Sequence, residues 1–339
     1  MTSTPPILSI CIPTYNRMNY LSSLLTEVLN QLETIKPGLV EVVVSDNASP
    51  DGTWEMLKGI QHPAVKVFRN EVNNYTRNFW TSVQHATGQY CWLMGDDDEP
   101  THRAIERVLH YVKGGSDWYI LTPELEREEG KRTPVILVGD DAHISWNLAD
   151  ESNVRDWASN CTCMASVGGL LSCLVGRREA LLEGFQATES FGCESWFPHV
   201  AAFLHSSALS KWGWVRIVTE SLVLYRDGND GVAKINPGKR IMVDLKAWLT
   251  FSKMKVNGVD RFPEGPARSE FLAILRRHHK PMQASILMTV AAYSGRDYAW
   301  AEAREALLSV GYPIESVELA EWVVKAGVYS EQKRFGGTA

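Results

Sequence analysis

Hydrophobic positions in the first third of the chain fall in a repeating order. ILSICIP (7–13), VEVVVSD (40–46), VKVFRN (65–70) and YCWLMG (90–95) are short apolar, β-branched or aromatic runs of strand length, with segments of helical character after them. Between the first two runs, Leu21, Leu24, Leu25, Val28, Leu29 and Leu32 recur at steps of three and four, the stripe of an amphipathic helix. Between the third and fourth, Tyr75, Phe79, Val83 and Ala86 do the same and stop before Gly88. Alternating strand and helix predicts parallel strands joined by crossovers, the runs being apolar because helices cover both faces. The predicted class is α/β, an open sheet.

Ligands of such sheets gather at the carboxyl ends of the strands. Polar clusters stand where each run stops: PTYNR, DNASPDG, RNEVNN and DDDE. Together they predict one crevice. Taken singly they are ordinary turn formers, and SPDG alone is a turn and helix start.

The second half is less regular. In CTCMASVGGLLSCLVGRREALLE the apolar run 167–175 predicts a strand, and Arg-Arg-Glu then starts a helix. Gly168 and Gly169 suit either a close backbone approach to a ligand or a bulge. In ESFGCESWFPHVAAFL, Pro198 is compatible with a helix only in its first turn, and His199 and His205 read as helix-face residues. RDGND within SLVLYRDGNDG (221–231) suits a hairpin turn. From about residue 235 the pattern is helical, with a stripe of Ile241, Leu245, Trp248 and Leu249, then FLAILRRHHKPMQASILMTVAAY interrupted by Pro281.

Composition narrows the function. With 339 residues, 45% of them hydrophobic, the chain can bury a substantial core. A formal net charge of −6 and a pI near 5.9 argue against nucleic acid as a partner. Cys11, Cys91, Cys161, Cys163, Cys173 and Cys193 form no C-x-x-C pair and read as reduced structural thiols of a cytosolic protein. MTSTPPILS lacks the basic and long apolar segments of a signal peptide, and no apolar run approaches the ~20 residues that cross a bilayer. A cytoplasmic protein is expected, with contact at a membrane surface left open.

WLMGDDDEP (92–100) sets Asp96, Asp97 and Asp98 directly after the fourth strand. Each ionised neighbour makes the next harder to ionise, so three acids there need water or a cation. No G-x-G-x-x-G follows the first strand and no G-x-x-x-x-G-K-[ST] occurs, so no glycine cradle holds phosphate. A divalent ion, Mn2+ or Mg2+, on one or two carboxylates is a natural way to neutralise a diphosphate.

In combination, ILSICIPTYNR, VVVSDNASPDGT, the RN of YTRNFW, ATGQY and GDDD resemble the nucleotide-sugar-binding half of family 2 glycosyltransferases of the GT-A fold, from residue 7 to about 115. The resemblance implies an open mixed sheet with helices on both faces, in which 1–115 bind the nucleotide sugar, 116–234 bind the acceptor and 235–339 form a C-terminal helical extension. It implies an inverting, metal-dependent transferase that moves a sugar from a nucleotide diphosphate donor to a hydroxyl of a glycan or polyprenol-linked glycan. Pro13, Tyr15 and Arg17 would border the nucleotide, and Asp46 would accept hydrogen bonds from base or ribose. Arg77 and Asn78 match the Arg-Asn pair leading the helix before the acidic cluster, the guanidinium orienting the first acids. Asp96 would lie near ribose and metal, and Asp98 would ligate the metal. GDDD stands where D-x-D-D is commoner, so the register is open by one residue and Asp97 is the alternate for either role.

Members commonly carry Glu-Asp at the helix start that supplies the base. Here the pair is Glu194-Ser195, which makes Glu194 the candidate base, or an orienting group if the aspartate was the residue that reached the hydroxyl. Glu189 is the second choice. Relatives often place a histidine near 221–231; this chain offers Arg226, Asp227 and Asn229, of which Arg226 and Asn229 are candidates for the donor diphosphate. GDDD, R-x-G-N and FPH together resemble abequosyltransferase-type enzymes of bacterial O-antigen assembly. RRHHK (276–280) is a basic cluster suited either to an anionic membrane or to a solvated helix end. A sugar nucleotidyltransferase and a non-catalytic carbohydrate-binding protein, the latter using some of the twelve Trp residues, are the alternatives.

Overall fold

A computed structural model of the chain describes residues 4–126, 130–139, 143–189, 197–226, 236–295 and 298–326. It divides into two compact units, the first of 1–153 with 165–227 and the second of 154–164 with 228–339.

The first unit begins as the pattern predicts: β1 (Leu8–Thr14), α1 (Met18–Leu32), β2 (Val40–Asp46), α2 (Thr53–Lys58), β3 (Val65–Arg69), α3 (Tyr75–His85) and β4 (Tyr90–Leu93). After these come β5 (Glu99–Pro100), α4 (Ala104–Val112), β6 (Trp118–Glu126), β7 (Arg132–Pro134), β8 (Ser145–Asn147), α5 (Glu151–Asn160), which belongs to the second unit from Val154 on, β9 (Leu174–Arg177), α6 (Arg178–Ala187), α7 (Pro198–Ser206) and β10 (Trp214–Arg226). The sheet order is β3-β2-β1-β4-β9-β6-β10-β5, with β7 beside β6 and β8 beside β10. The first four strands are parallel, whereas β9 runs antiparallel to both β4 and β6, so the sheet is mixed.

Every residue of β1 and β2 is buried, as strands covered on both faces must be. Leu8, Ile10 and Ile12 of β1 alternate onto one face, where they share a core with Leu21, Leu24 and Val28 of α1 and Ile105 and Val108 of α4. The opposite face of β1 and β2 meets α3. There, at the amino end of the strands, Glu41 is 3% exposed. It accepts hydrogen bonds from Ser9 Oγ (2.6 Å), Lys66 Nζ (2.6 Å), and the backbone N–H and hydroxyl of Thr87. Gly88 follows because a Cβ there would lie 2.6 Å from Ser9 Oγ. Thr87 and Gly88 of ATGQY therefore staple β4 to β1 and β2.

The apolar run 167–175 is not one strand. Two 3-10 turns, Met164–Val167 and Leu171–Cys173, precede β9, and Gly168 takes φ +73 between them. Only 174–177 pair in the sheet, since the turn commits Ser172 to the end of β4, as described below.

The second unit holds α8 (Pro237–Ser252), a hairpin of β11 (Lys255–Val256) and β12 (Val259–Asp260), α9 (Pro266–His279), α10 (Gln283–Tyr293), α11 (Trp300–Ser309) and α12 (Ile314–Lys325). Trp248 of the predicted stripe stacks with Phe271 at 6.1 Å, and Phe271 with Phe262 at 4.0 Å. RRHHK is largely spent within this unit: Arg276 donates to the Gly311 carbonyl (2.8 Å), Arg277 to the Ala158 and Cys161 carbonyls and to Glu270, and His279 Nδ1 meets Tyr312 Oη at 2.9 Å. Cys11, Cys91, Cys161, Cys163 and Cys173 are buried and form no disulfide among the described residues, Cys193 lying outside them. No helix among the described residues is long and apolar enough to cross a membrane.

Burial pushes the Glu41 carboxyl up, but the bonds from Lys66, Ser9 and Thr87 outweigh it and hold it below its usual range. A lowered acid contributes stability above its unfolded value and loses that contribution as pH falls through the native one. Glu41→Gln is expected to cost about 2–3 kcal/mol near neutrality, chiefly through its buried charge-assisted bonds, since Lys66 is 43% exposed and keeps water. Urea midpoints of the two proteins should converge in acid; a gap unchanged to about pH 3 would show that the charge at Glu41 is not what stabilises.

Candidate active site

β1 is flanked by β2 on one side and β4 on the other, so the chain order along the sheet reverses at β1. Crevices form at such a point, outside the carboxyl ends of the strands. Asp96, Asp97 and Asp98 stand there, just past β4, and two of the three are buried: Asp96 is 9% and Asp98 4% exposed. Gly95 admits them, because a Cβ would sit only 3.2–3.3 Å from oxygens of Asp98, Asp97 and Ser172.

Asp96 accepts from Thr14 Oγ1 at 2.7 Å, linking the ends of β1 and β4. Arg17 pairs with Asp97 and reaches Asp96 at 3.9 Å. Asp98 has no ion-pair partner among the described residues. Ser172 donates its hydroxyl to Asp98 Oδ2, and the Arg226 backbone N–H approaches Oδ1 at 3.4 Å. Burial, followed by the charge on Asp97, pushes Asp96 up to about 7 and Asp98 up to about 8. Arg17 and Thr14 only partly counter the shift at Asp96.

This donor set fits a divalent cation, since Asp98 is a hard oxygen ligand, buried and short of positive charge. No group of three or more His, Cys, Asp or Glu side chains suited to a metal occurs among the described residues. The carboxylates fit an ion whose remaining ligands are water and substrate oxygens.

Other expected site residues are distributed as follows. Pro13 is buried in β1 opposite Ser45, and Tyr15 is 42% exposed at the crevice mouth with its N–H on Asp96. Asp46, fully buried at the end of β2, accepts from the Ser49 N–H (3.2 Å) and pairs with Arg69 at 3.3 Å. Asn78 is used by the scaffold: it accepts from Ser45 Oγ (2.7 Å) and Asn70 (2.9 Å) and donates to the Thr14 carbonyl (3.3 Å). Asn47 bonds Asn70, Asn73 and the N–H of Asn74, so the loops after β2 and β3 are tied together by amides.

Arg77 does not reach the acids; its guanidinium pairs with Glu189 and lies 4.1 Å over Trp80. Arg17 is the cation on the cluster. The Arg226 side chain is bound to Glu99 at 2.6 Å, so this residue meets Asp98 through its backbone alone. Glu194, Asp227 and Asn229 lie outside the described residues. Two groups carried no expectation. Thr14 stood unnoticed within PTYNR, and Ser172, 74 residues from Asp98, left no spacing signal.

Glycosyl transferase family 2 matches residues 9–155. Abequosyltransferase RfbV of Salmonella typhimurium is 32% identical over 258 residues, 72% of this chain and 73% of that protein. S. aureus TarS 1-349 in complex with UDP-GlcNAc matches 94% of this chain and 92% of that one at 12% identity, with a TM-score of 0.55. The mannosyltransferase PcManGT from Pyrobaculum calidifontis in complex with GDP-Man and Mn2+ matches 99% and 89% at 16% identity, with a TM-score of 0.51. At such identities the two structures speak to fold, which is GT-A. With its sequence likeness to RfbV and the family match over the sheet and acid cluster, the chain belongs to glycosyl transferase family 2 and is a glycosyltransferase.

Proposed function

We propose that the enzyme transfers a sugar from a nucleotide diphosphate donor to a hydroxyl of a glycan or lipid-linked glycan, in synthesis of a bacterial surface polysaccharide, with inversion at the anomeric carbon. The observation that carries this reading is the pair of buried carboxylates, Asp96 and Asp98, at the switch point of the sheet. The donors in complex with the two structural neighbours, UDP-GlcNAc and GDP-Man, and the Mn2+ of the second, support it.

Asp98 and Asp96 would hold Mn2+ or Mg2+, which when bound supplies positive charge against the donor's leaving diphosphate. Tyr15, Arg17 and Asp46 border the nucleotide in this reading. Arg17 holds Asp97 and Asp96 in place and brings a second positive charge to the diphosphate side of the crevice. Glu194 takes the proton of the acceptor hydroxyl as its oxygen bonds to C1; the C1–O bond to the diphosphate breaks and its electron pair leaves with the phosphate. Burial of Asp96 and Asp98 strengthens the charges at the cluster. Contact of the C-terminal helices with a membrane would rest on exposed Lys280 and Arg276, the latter also donating to the Gly311 carbonyl, since Arg277 and His279 are engaged inside their unit.

A thermal-shift screen of UDP, GDP, CDP and dTDP, each with and without Mn2+, should show one base stabilising the protein more strongly with the ion. Asp98→Ala is expected to abolish that Mn2+-dependent increment; an undiminished increment removes Asp98 as a ligand. Glu194→Gln is expected to keep the increment and lose roughly 10²-fold or more in turnover. Near-normal turnover in that variant would exclude Glu194 as the base.

A further inference from the structure

The segment between α5 and β9 was expected to lie on the acceptor side of the enzyme. Its 3-10 turn Leu171–Cys173 instead meets the acid cluster directly. Ser172 is fully buried and makes three contacts that hold it in one orientation. The Gly95 N–H donates to its Oγ at 2.8 Å, and the indole of Trp92, itself fully buried in β4, donates to its carbonyl at 2.7 Å. A hydroxyl has one proton to give. Because the Gly95 N–H points at Oγ, that proton is directed to the remaining neighbour, Asp98 Oδ2.

The consequence for Asp98 is asymmetric. Oδ2 is held by a hydroxyl, whereas among the described residues Oδ1 has only the long 3.4 Å approach of the Arg226 backbone N–H. A carboxylate with one oxygen anchored and one loosely held is oriented without being used up. Partners behind a ligand that fix its orientation act on metal sites in this way, and their loss typically weakens metal binding by 10–100-fold.

We propose that Ser172 is a positioning residue that sets the orientation of the Asp98 carboxylate, relaying the rigidity of Trp92 and β4 to the acid cluster. The inference deepens the reading of Asp98 as a metal ligand and rests on it. It also assigns a role to the segment 164–173, whose turns are otherwise unexplained by sheet pairing.

The test uses the full chain and Mn2+ as the probe, in the presence of whichever nucleoside diphosphate stabilises the wild type. The free Mn2+ signal in electron paramagnetic resonance gives the dissociation constant. Ser172→Ala should remain folded by its thermal transition and bind Mn2+ on the order of 10-fold more weakly. Ser172→Thr, which keeps the hydroxyl, should recover most of the affinity; Ser172→Cys, with a weaker donor, should fall between if the extra methyl is not tolerated. Equal Mn2+ affinity in wild type and Ser172→Ala overturns the role of Ser172 and leaves Asp98 as a ligand. Thr and Cys variants that bind no better than Ala overturn it as well. A wild type that takes up no Mn2+ with any nucleotide overturns the metal reading itself.

Discussion

Two carboxylates buried side by side at the end of β4, with a third beside them, form the constraint around which the catalytic unit is arranged. Unit charges about 4 Å apart near a protein surface interact by about 4 kcal/mol, so such a cluster is stable only when opposed. The protein opposes it unevenly. Arg17 answers Asp97 and Asp96, whereas among the described residues Asp98 receives only neutral donors, from Ser172 and the Arg226 backbone. The strand order that brings β1 beside β4, the side-chain-free Gly95 and the 3-10 turn at 171–173 all serve to pack oxygens closely in one place. That uneven compensation leaves a defined deficit of positive charge.

The opposite end of the same strands solves the same problem in a closed way. Glu41 is also buried, but Ser9, Lys66, Thr87 and Gly88 supply enough donors to keep it ionised. The parallel part of the sheet thus has a carboxylate at each end, one fully compensated and one not. Rigidity comes from the complete end, and chemistry is left to the incomplete one. Substitutions at the two ends should accordingly separate into those that change stability and those that change ligand binding.

The alternating fold of the first hundred residues is readable because β1, β2 and β4 are buried along their whole length and α1 and α3 each show one apolar stripe. Its acid cluster was readable because three consecutive aspartates after an apolar run break the pattern. Downstream the signal failed for physical reasons. At 167–175 a buried 3-10 turn and a buried strand have the same apolar composition, and only Gly168 hinted at the break. Arg77 is expected to orient the first acids and Arg226 is a candidate for the donor diphosphate; in the structure their guanidinium groups pair with Glu189 and Glu99, carboxylates supplied by distant segments. Ser172 is an ordinary residue by composition, whose importance arises from a contact across 74 positions. RRHHK looked like a surface patch because hydrogen bonds from arginine to backbone carbonyls leave no trace in sequence.

The asparagines joining the loops after β2 and β3 have a consequence of their own. Asn47, Asn70, Asn73, Asn74 and Asn78 form a wall of dipoles that never gains or loses a proton, and salt does not screen it as it screens ions. The loops after β2 and β3 are therefore held in shape by bonds that neither pH nor ionic strength alters, whereas the acids after β4 respond to both.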